Sequence, residues 1–289
     1  MPSDVNLMAR PMESKRKPRI PLETEHNPLL NTNRSCNFNP FSSKYYVADR
    51  RQKFPSLGYQ TPMIDAIMAN KGNLTPTPSD LAISSIIENT DVKHIRLHSE
   101  LTDECVFTYL IPMLKVLYSQ GANDERGIKK KRPYALILTS NPDIGIAVYE
   151  CIHKFLIDGN LPFRLKLAHQ KFKLKDVIEH IQYPFHILIT THATLNNLLV
   201  RSELSLDRCN FIVLQSVDMW IQTNMVTDPI KMITDLYSQM KSSGLPNDNK
   251  TIYVATADKF DELSNNLCEV FSKAEVHYDV DMVINEIFC

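Results

Sequence analysis

Seven glycines, Gly58, Gly72, Gly121, Gly127, Gly145, Gly159 and Gly244, are spread over 289 residues. At that spacing neither G-x-G-x-x-G nor G-x-x-x-x-G-K can be written, so both sequence signatures of a phosphate-cradling loop are absent. The run Gly121–Gly127 is one residue too long and lacks Gly-Lys-Ser/Thr. His94 and His98 are four apart; on a strand they share a face about 13 Å apart, too far for one metal, and read as solvated strand-edge histidines. Ser216, His192 and Asp218 can be written as a nucleophilic triad along one sheet edge, but no G-x-S-x-G elbow surrounds the serine. The six cysteines, Cys36, Cys105, Cys151, Cys209, Cys268 and Cys289, form no C-x-x-C pair, which argues against a zinc knuckle or a disulfide framework and fits a reducing compartment. Cys105 has no His or Lys beside it in sequence to lower its pKa.

Charge adds little pull toward polyanions. Lys and Arg number 32 against 33 Asp and Glu, a net charge of −1, so any binding of nucleic acid must be local. Two basic runs offer it: Lys15-Arg16-Lys17-Pro18-Arg19, an import signal, a phosphate contact or a solvated charge run, and Lys129-Lys130-Lys131-Arg132, read as a surface loop. The amino terminus lacks the apolar core of a signal peptide, and no apolar run approaches the ~18 residues needed to span a bilayer. The expectation is a soluble protein of the nucleus or cytoplasm, with no membrane partner.

Residues 1–50 are rich in Pro, Asn, Ser and Arg without a sustained apolar period and are expected to form a flexible basic, polar tail. Residues 51–289 are expected to form one domain. There, apolar runs predict strands at His94–Leu97, Tyr134–Thr139, Phe163–Leu167, His186–Thr190, Phe211–Gln215 and Thr251–Ala255. Helical stretches alternate with them: Ser79–Ile87, Cys105–Tyr118, Ile144–Ile157, Thr194–Arg201, Asp228–Met240 and Asp261–Phe271. Strands apolar throughout and separated by helices predict an α/β fold with a parallel sheet covered on both faces, whose functional residues follow the strands' carboxyl ends. Trp220, with Met219, Met225 and Met232, is expected to line the core face of a helix.

Three segments, Phe54-Pro-Ser-Leu-Gly58, Gly72-Asn-Leu-Thr-Pro76-Thr77-Pro78-Ser-Asp80 and Tyr109-Leu-Ile-Pro112, resemble in order and spacing the first RecA-like domain of DEAD-box RNA helicases. The resemblance runs over about residues 54–280 and implies a single RecA-like domain of the P-loop NTPase type. It assigns Phe54 to stacking on adenine, although packing alone also accounts for it, and puts Asp80 where the family's Gln reads the base. A carboxylate only accepts hydrogen bonds, whereas the adenine edge presents a donor and an acceptor. The phosphate-loop Lys falls at Cys105, the magnesium-binding Thr at Val106, and the loop's glycines at Thr102 and Glu104. Asp103 and Glu104 then put two negative charges where phosphates are expected. One like-charge pair at ~4 Å costs ~4 kcal/mol at an effective dielectric of 20.

After the strand ending in Leu214, the family's Asp-Glu-Ala-Asp reads Gln215-Ser216-Val217-Asp218, leaving Asp218 as the one match. Gln215 brings no charge for magnesium, and Ser216 is a poor base. On the RNA side, Pro-Thr-Arg-Glu-Leu is replaced by Ser140-Asn141-Pro142-Asp143-Ile144, and Thr-Pro-Gly-Arg by Thr191-His192-Ala193-Thr194. Both arginines are lost, while Ser140, Asn141, Thr191 and Thr194 can still meet phosphate without charge. A Gly pair is absent near Ala168-His169, and Ser-Ala-Thr, the coupling triplet, reads Val254-Ala255-Thr256. The chain ends before the family's second RecA-like domain, so no complete cleft is expected unless another chain supplies it. The resulting expectation is a DEAD-box-like pseudoenzyme without cofactor, a scaffold for a protein or ribonucleoprotein partner. ATP and magnesium enter only if the site proves functional. A weak RNA-binding protein and a divergent ATP-dependent helicase completed by a partner are the alternatives.

Overall fold

Strands that are apolar on alternate and intervening positions alike have no face to give to water, and the sheet they form lies between two helical layers. The computed structural model describes residues 53–89, 94–121, 129–222, 228–246, 250–271 and 278–279. The segment read as a tail, its basic run Lys15–Arg19, and most of Gly121–Gly127 lie outside them. The strands are β1 (His94–His98), β2 (Ala135–Thr139), β3 (Leu165–Ala168), β4 (Ile187–Thr191), β5 (Phe211–Gln215), β6 (Ile252–Ala257) and a two-residue β7 (Tyr278–Asp279). All neighbours are parallel, in the order β3-β4-β2-β5-β6-β1-β7. Every residue of β2, β4, β5 and β6 is buried, whereas β3, at the end of the sheet, is half-buried until Ala168.

The period of two sorts these strands onto two cores. Leu136, Leu138, Leu188, Ile212, Leu214, Tyr253 and Ala255 belong to one, with residues of α5 (Leu174–His180), α6 (His192–Val200), α7 (Val217–Gln222), α8 (Pro229–Ser242) and α9 (Glu262–Phe271). Trp220 is part of this core, as its helical spacing predicts. The alternate residues Ile137, Ile189, Val213 and Val254 are equally buried. On their side of the sheet α4 (Pro142–Asp158) brings Gly145 against Thr139, Leu167 and Ile189. There α4 also packs on α1 (Thr61–Lys71) and α3 (Asp103–Ser119), and α3 packs on α2 (Pro78–Asn89).

The predicted strands all appear, most displaced by a residue or two, and the predicted helices extend one or two residues beyond their expected ends in several cases. Three helices, α1, α5 and α7, have no counterpart among the expected helical stretches. α1 is short, with Met63, Ala66 and Ile67 as its buried residues, so its apolar period covers barely one turn. One expectation fails outright. β1 lies between β6 and β7, so His94 is not a solvated edge residue: it is buried and stacks on Tyr253 at 4.8 Å. His98, at the far end of the strand, meets Phe260 edge-on at 4.8 Å.

The contact of α1 with α4 needs a residue without a Cβ at the end of α4. A Cβ on Gly159 would lie 2.6 Å from Ala66 Cβ and 2.7 Å from the carbonyl oxygen of Pro62. Backbone cannot yield as a side-chain tip can, so Gly159→Ala is expected to destabilise the domain by about 1–3 kcal/mol, the usual cost of overpacking. Urea denaturation of the two proteins checks this; an unchanged midpoint would show that α1 is free to move off α4.

Candidate functional site

Parallel order brings the segments after β1, β5 and β6 together at the carboxyl edge of one half of the sheet, and those after β2, β3 and β4 together in the other half. In the first half the turn from β1 to α3 is four residues, Ser99 to Thr102. Its Ser99 N–H donates to Ala257 O at the end of β6 (2.8 Å). Thr102 caps α3: its Oγ1 accepts from Cys105 N–H (3.2 Å) and its carbonyl from Val106 N–H (3.1 Å). In a phosphate loop the N–H groups at a helix start meet the anion; here these two meet a threonine.

The Cys105 thiol is buried, and burial pushes its pKa up, partly offset by hydrogen bonds with the Ser99 and Gln215 side chains. Cys105 and Gln215, the positions that the resemblance assigns to a phosphate-loop Lys and a first acidic residue, are in contact as thiol and amide. Burial also raises Cys151 and takes Cys209 and Cys268 to about 12, so none of the four is an activated thiol. Gln215 Nε2 donates to Ser216 Oγ (3.3 Å), and the Ser216 N–H donates to Thr256 Oγ1 (2.9 Å), tying the end of β5 to β6. Ser216 has a left-handed backbone (φ 54°), a strained conformation for serine. The Trp220 indole N–H donates to Gln215 O (3.1 Å). Gln215 Oε1 and Asp218 Oδ1 are buried with no protein donor among the described residues. Ala255 is buried beside Thr256. Among the described residues no three His, Cys, Asp or Glu side chains come together to hold a metal.

The residue that organises this half is Lys71, which no motif covers. Its Nζ donates to Asp80 Oδ2 (2.9 Å) and to Glu104 Oε1 (2.5 Å), and lies 5.8 Å from the centroid of the Phe54 ring. Lys71 and Asp80 side chains are each 3% exposed, and Glu104 50%. Asp80 Oδ2 also accepts from Thr77 N–H (2.8 Å) while Thr77 Oγ1 accepts from Asp80 N–H (3.1 Å), a reciprocal cap that starts α2. Phe54 is fully buried, edge-on to Tyr59 at 5.6 Å. The ammonium thus bridges the position assigned to base recognition and one assigned to the phosphate loop. Glu104 is accordingly paired, not the isolated negative charge that the sequence suggests.

In the other half, Asn141 caps α4, its Oδ1 accepting from Asp143 and Ile144 N–H (both 3.0 Å), with its Nδ2 3.5 Å from Ser140 Oγ. Thr191 and Thr194 are buried; Thr191 Oγ1 lies 2.6 Å from Gln170 Oε1 and 3.2 Å from Thr194 Oγ1. After β3, His169 accepts at Nδ1 from Lys171 N–H (3.2 Å) and stacks on Phe172. Lys171 pairs with Asp143 at the surface. The basic run Lys129–Arg132 precedes β2, at the opposite edge of the sheet, with Lys131 paired to Glu203 and Arg132 to Asp207. The triad is not assembled by any hydrogen bond of Ser216: its Oγ meets Gln215, whereas His192 faces Trp220 at 6.5 Å.

Strand order and the two clusters of post-strand segments decide the architecture. This is the fold of a RecA-like helicase domain. The structure superposes on a yeast Dbp5 variant bound to a Gle1 variant and IP6 (Saccharomyces cerevisiae; TM-score 0.60, 13% identity, 79% of this chain and 52% of that one). It also superposes on Mss116p bound to single-stranded RNA and AMP-PNP (TM-score 0.62, 14% identity, 79% and 45%). In sequence the chain is 20% identical over 196 residues to DEAD-box ATP-dependent RNA helicase 35 of Arabidopsis thaliana, covering 66% of this chain and 32% of the relative. The chain therefore spans about a third of the length of that relative. No family model matches it.

Two outcomes follow for the RecA-like domain. Removing one partner of a buried pair leaves the other charge uncompensated, so Lys71→Met is expected to cost about 3–5 kcal/mol in urea denaturation. Adding Asp80→Asn, which keeps the capping oxygen without the charge, should return more than half of that loss; strictly additive losses would show the two groups to be uncoupled. Burial lowers the pKa of His169, His180 and His192, assisted by Lys171 at the first and Lys166 at the second. The unfolded chain then takes up protons near the ordinary value of 6.5 while the folded one does not. Stability should be level above about pH 7.5 and fall as pH drops toward about 5.5, which urea midpoints across that range measure directly.

Proposed function

We propose that this RecA-like domain neither binds nor hydrolyses ATP and serves as a scaffold for a protein or ribonucleoprotein partner, in the nucleus or cytoplasm. The observation that carries the reading is Lys71, whose ammonium bonds Asp80 at 2.9 Å and Glu104 at 2.5 Å across the space between the base-reading and phosphate-loop positions. A nucleotide seated there would have to draw the ammonium onto its phosphates, stripping the buried Asp80 carboxylate of its counter-charge.

Three further features support it. Cys105 offers no cation to a phosphate, and the N–H groups of Cys105 and Val106 are taken by Thr102. Gln215 and Ser216 supply neither a charge for magnesium nor a base for water. Phe54 is packed in the core with Tyr59 and has no exposed face to offer a base. By contrast the central strands are buried between two helical layers, so a scaffold remains when the chemistry is taken away.

Equilibrium binding of labelled ATP to the full chain, with and without magnesium, is the test. No saturable binding is expected, and millimolar ATP with magnesium should leave the melting temperature unmoved, since a ligand that binds only the folded state raises it. Micromolar, magnesium-dependent affinity would overturn the reading.

A further inference from the structure

β3 closes one end of the sheet. It pairs with β4 alone, so among the described residues no strand meets the backbone groups on its outer side. Proteins ordinarily blunt such an edge with charge or cover it. Here charge and apolar surface occur together. Six large apolar side chains are exposed among the described residues, and three of them flank this strand: Ile157 (62%) and Tyr183 (64%) at its amino end, Phe172 (50%) beyond its carboxyl end. Ile157 and Tyr183 line a cavity of about 460 Å³ walled by Phe163 and Leu165. Phe172 is held outward by a tight turn, its N–H donating to His169 O (3.1 Å) and its ring stacked on the buried His169 imidazole at 4.3 Å.

The same stretch is strongly one-signed. From Arg164 to Lys175 there are five cations, Arg164, Lys166, Lys171, Lys173 and Lys175, and no acid. Asp143 answers Lys171, and Asp176 and Glu179 follow on α5. The Lys166 ammonium sits 5.6 Å from the centroid of the Tyr183 ring, and its pKa is held down by burial and by the neighbouring Arg164. A second cation crowded against the first beside an aromatic cavity is costly in isolation and becomes favourable when an anion arrives.

We propose that the β3 edge binds an extended acidic segment of a partner protein, which adds to the sheet as a strand and seats an aromatic or aliphatic side chain between Ile157 and Tyr183. Lys166, Lys173 and Lys175 select acidic residues, Lys171 being held by Asp143. The open backbone of β3 selects polypeptide over nucleic acid, because only another peptide chain continues the ladder of N–H and C=O groups. β3 and β1 lie toward opposite ends of the sheet, so this surface does not depend on how the Lys71 site is read, and its failure would leave that reading untouched.

Selection of random dodecapeptides displayed on phage against the immobilised full chain, followed by fluorescence anisotropy of the synthetic winners, tests it. The winners are expected to be rich in Asp and Glu around one large apolar residue. Lys166→Glu and Tyr183→Ala should each weaken them about tenfold or more, with unchanged melting temperatures because both side chains reach the surface. Amides of residues 164–168 should exchange more slowly in the complex, which a side-chain contact alone would not produce. The proposal is overturned if no peptide binds more tightly than about 100 μM, if the winners are not acidic, or if neither substitution weakens them. It is equally overturned if those amides keep their exchange rates or if a uridine 15-mer displaces the peptides from the same residues.

Discussion

One buried ammonium holds three segments of the domain in register. Lys71 ends α1, Asp80 lies in the first turn of α2, and Glu104 lies in the first turn of α3. Taking a lysine out of water is tolerable only if a carboxylate meets it, and the buried Asp80 carboxylate is tolerable only while the lysine stays, whereas Glu104 is half exposed to solvent. The buried Lys71–Asp80 pair is therefore self-locking. Neither the end of α1 nor the start of α2 can shift away from the other without leaving a charge in low dielectric. The aromatic ring of Phe54, 5.8 Å from the ammonium, closes the remaining side.

The other half of the carboxyl edge follows the same rule with neutral groups. Asn141 spends its oxygen on the first turn of α4, and Thr191, Thr194 and Gln170 spend theirs on one another. These polar groups thus find partners within the chain. Gln215 Oε1, Asp218 Oδ1 and Asp80 Oδ1 are among the buried side-chain atoms that find no protein donor in the described residues. The left-handed Ser216 stands among them, and its N–H bond to Thr256 keeps the β5 and β6 ends joined. A left-handed serine and two orphaned oxygens thus fall together where β5 ends.

The architecture was legible in the sequence because a strand buried on both faces needs apolar residues at nearly every position, as in Ala135–Leu138 and Phe211–Leu214, a pattern that tolerates few other readings. The short α1 escaped because it buries little more than one turn, and His94 was misplaced because the two-residue β7 beside β1 carries almost no signal of its own. At the site, the packing of Phe54 was one of the two readings the sequence offered, whereas the capping role of Thr102 emerged only in the structure. Lys71 was not legible. Its place before Gly72 resembles an ordinary basic helix end, and only the meeting of α1, α2 and α3 in space converts a surface-type residue into a buried bridge.

The separation of fold from chemistry has a physical basis in where each resides. Stability comes from the two cores against the sheet, built from Leu138, Ile189, Val213 and their neighbours, none of which reaches a loop tip. Catalytic groups of an α/β domain sit on the loop tips and contribute little to those cores. Their replacement is limited by one requirement only, that the polar groups left behind find partners. Thr102 for the amides of α3 and Lys71 for Asp80 meet it. A lysine at position 105 would enter a buried space between Ser99 and Gln215, with Glu104 already committed to Lys71. Under the proposed reading, the groups that stabilise these loops are thus the same ones that a phosphate-binding loop would need released.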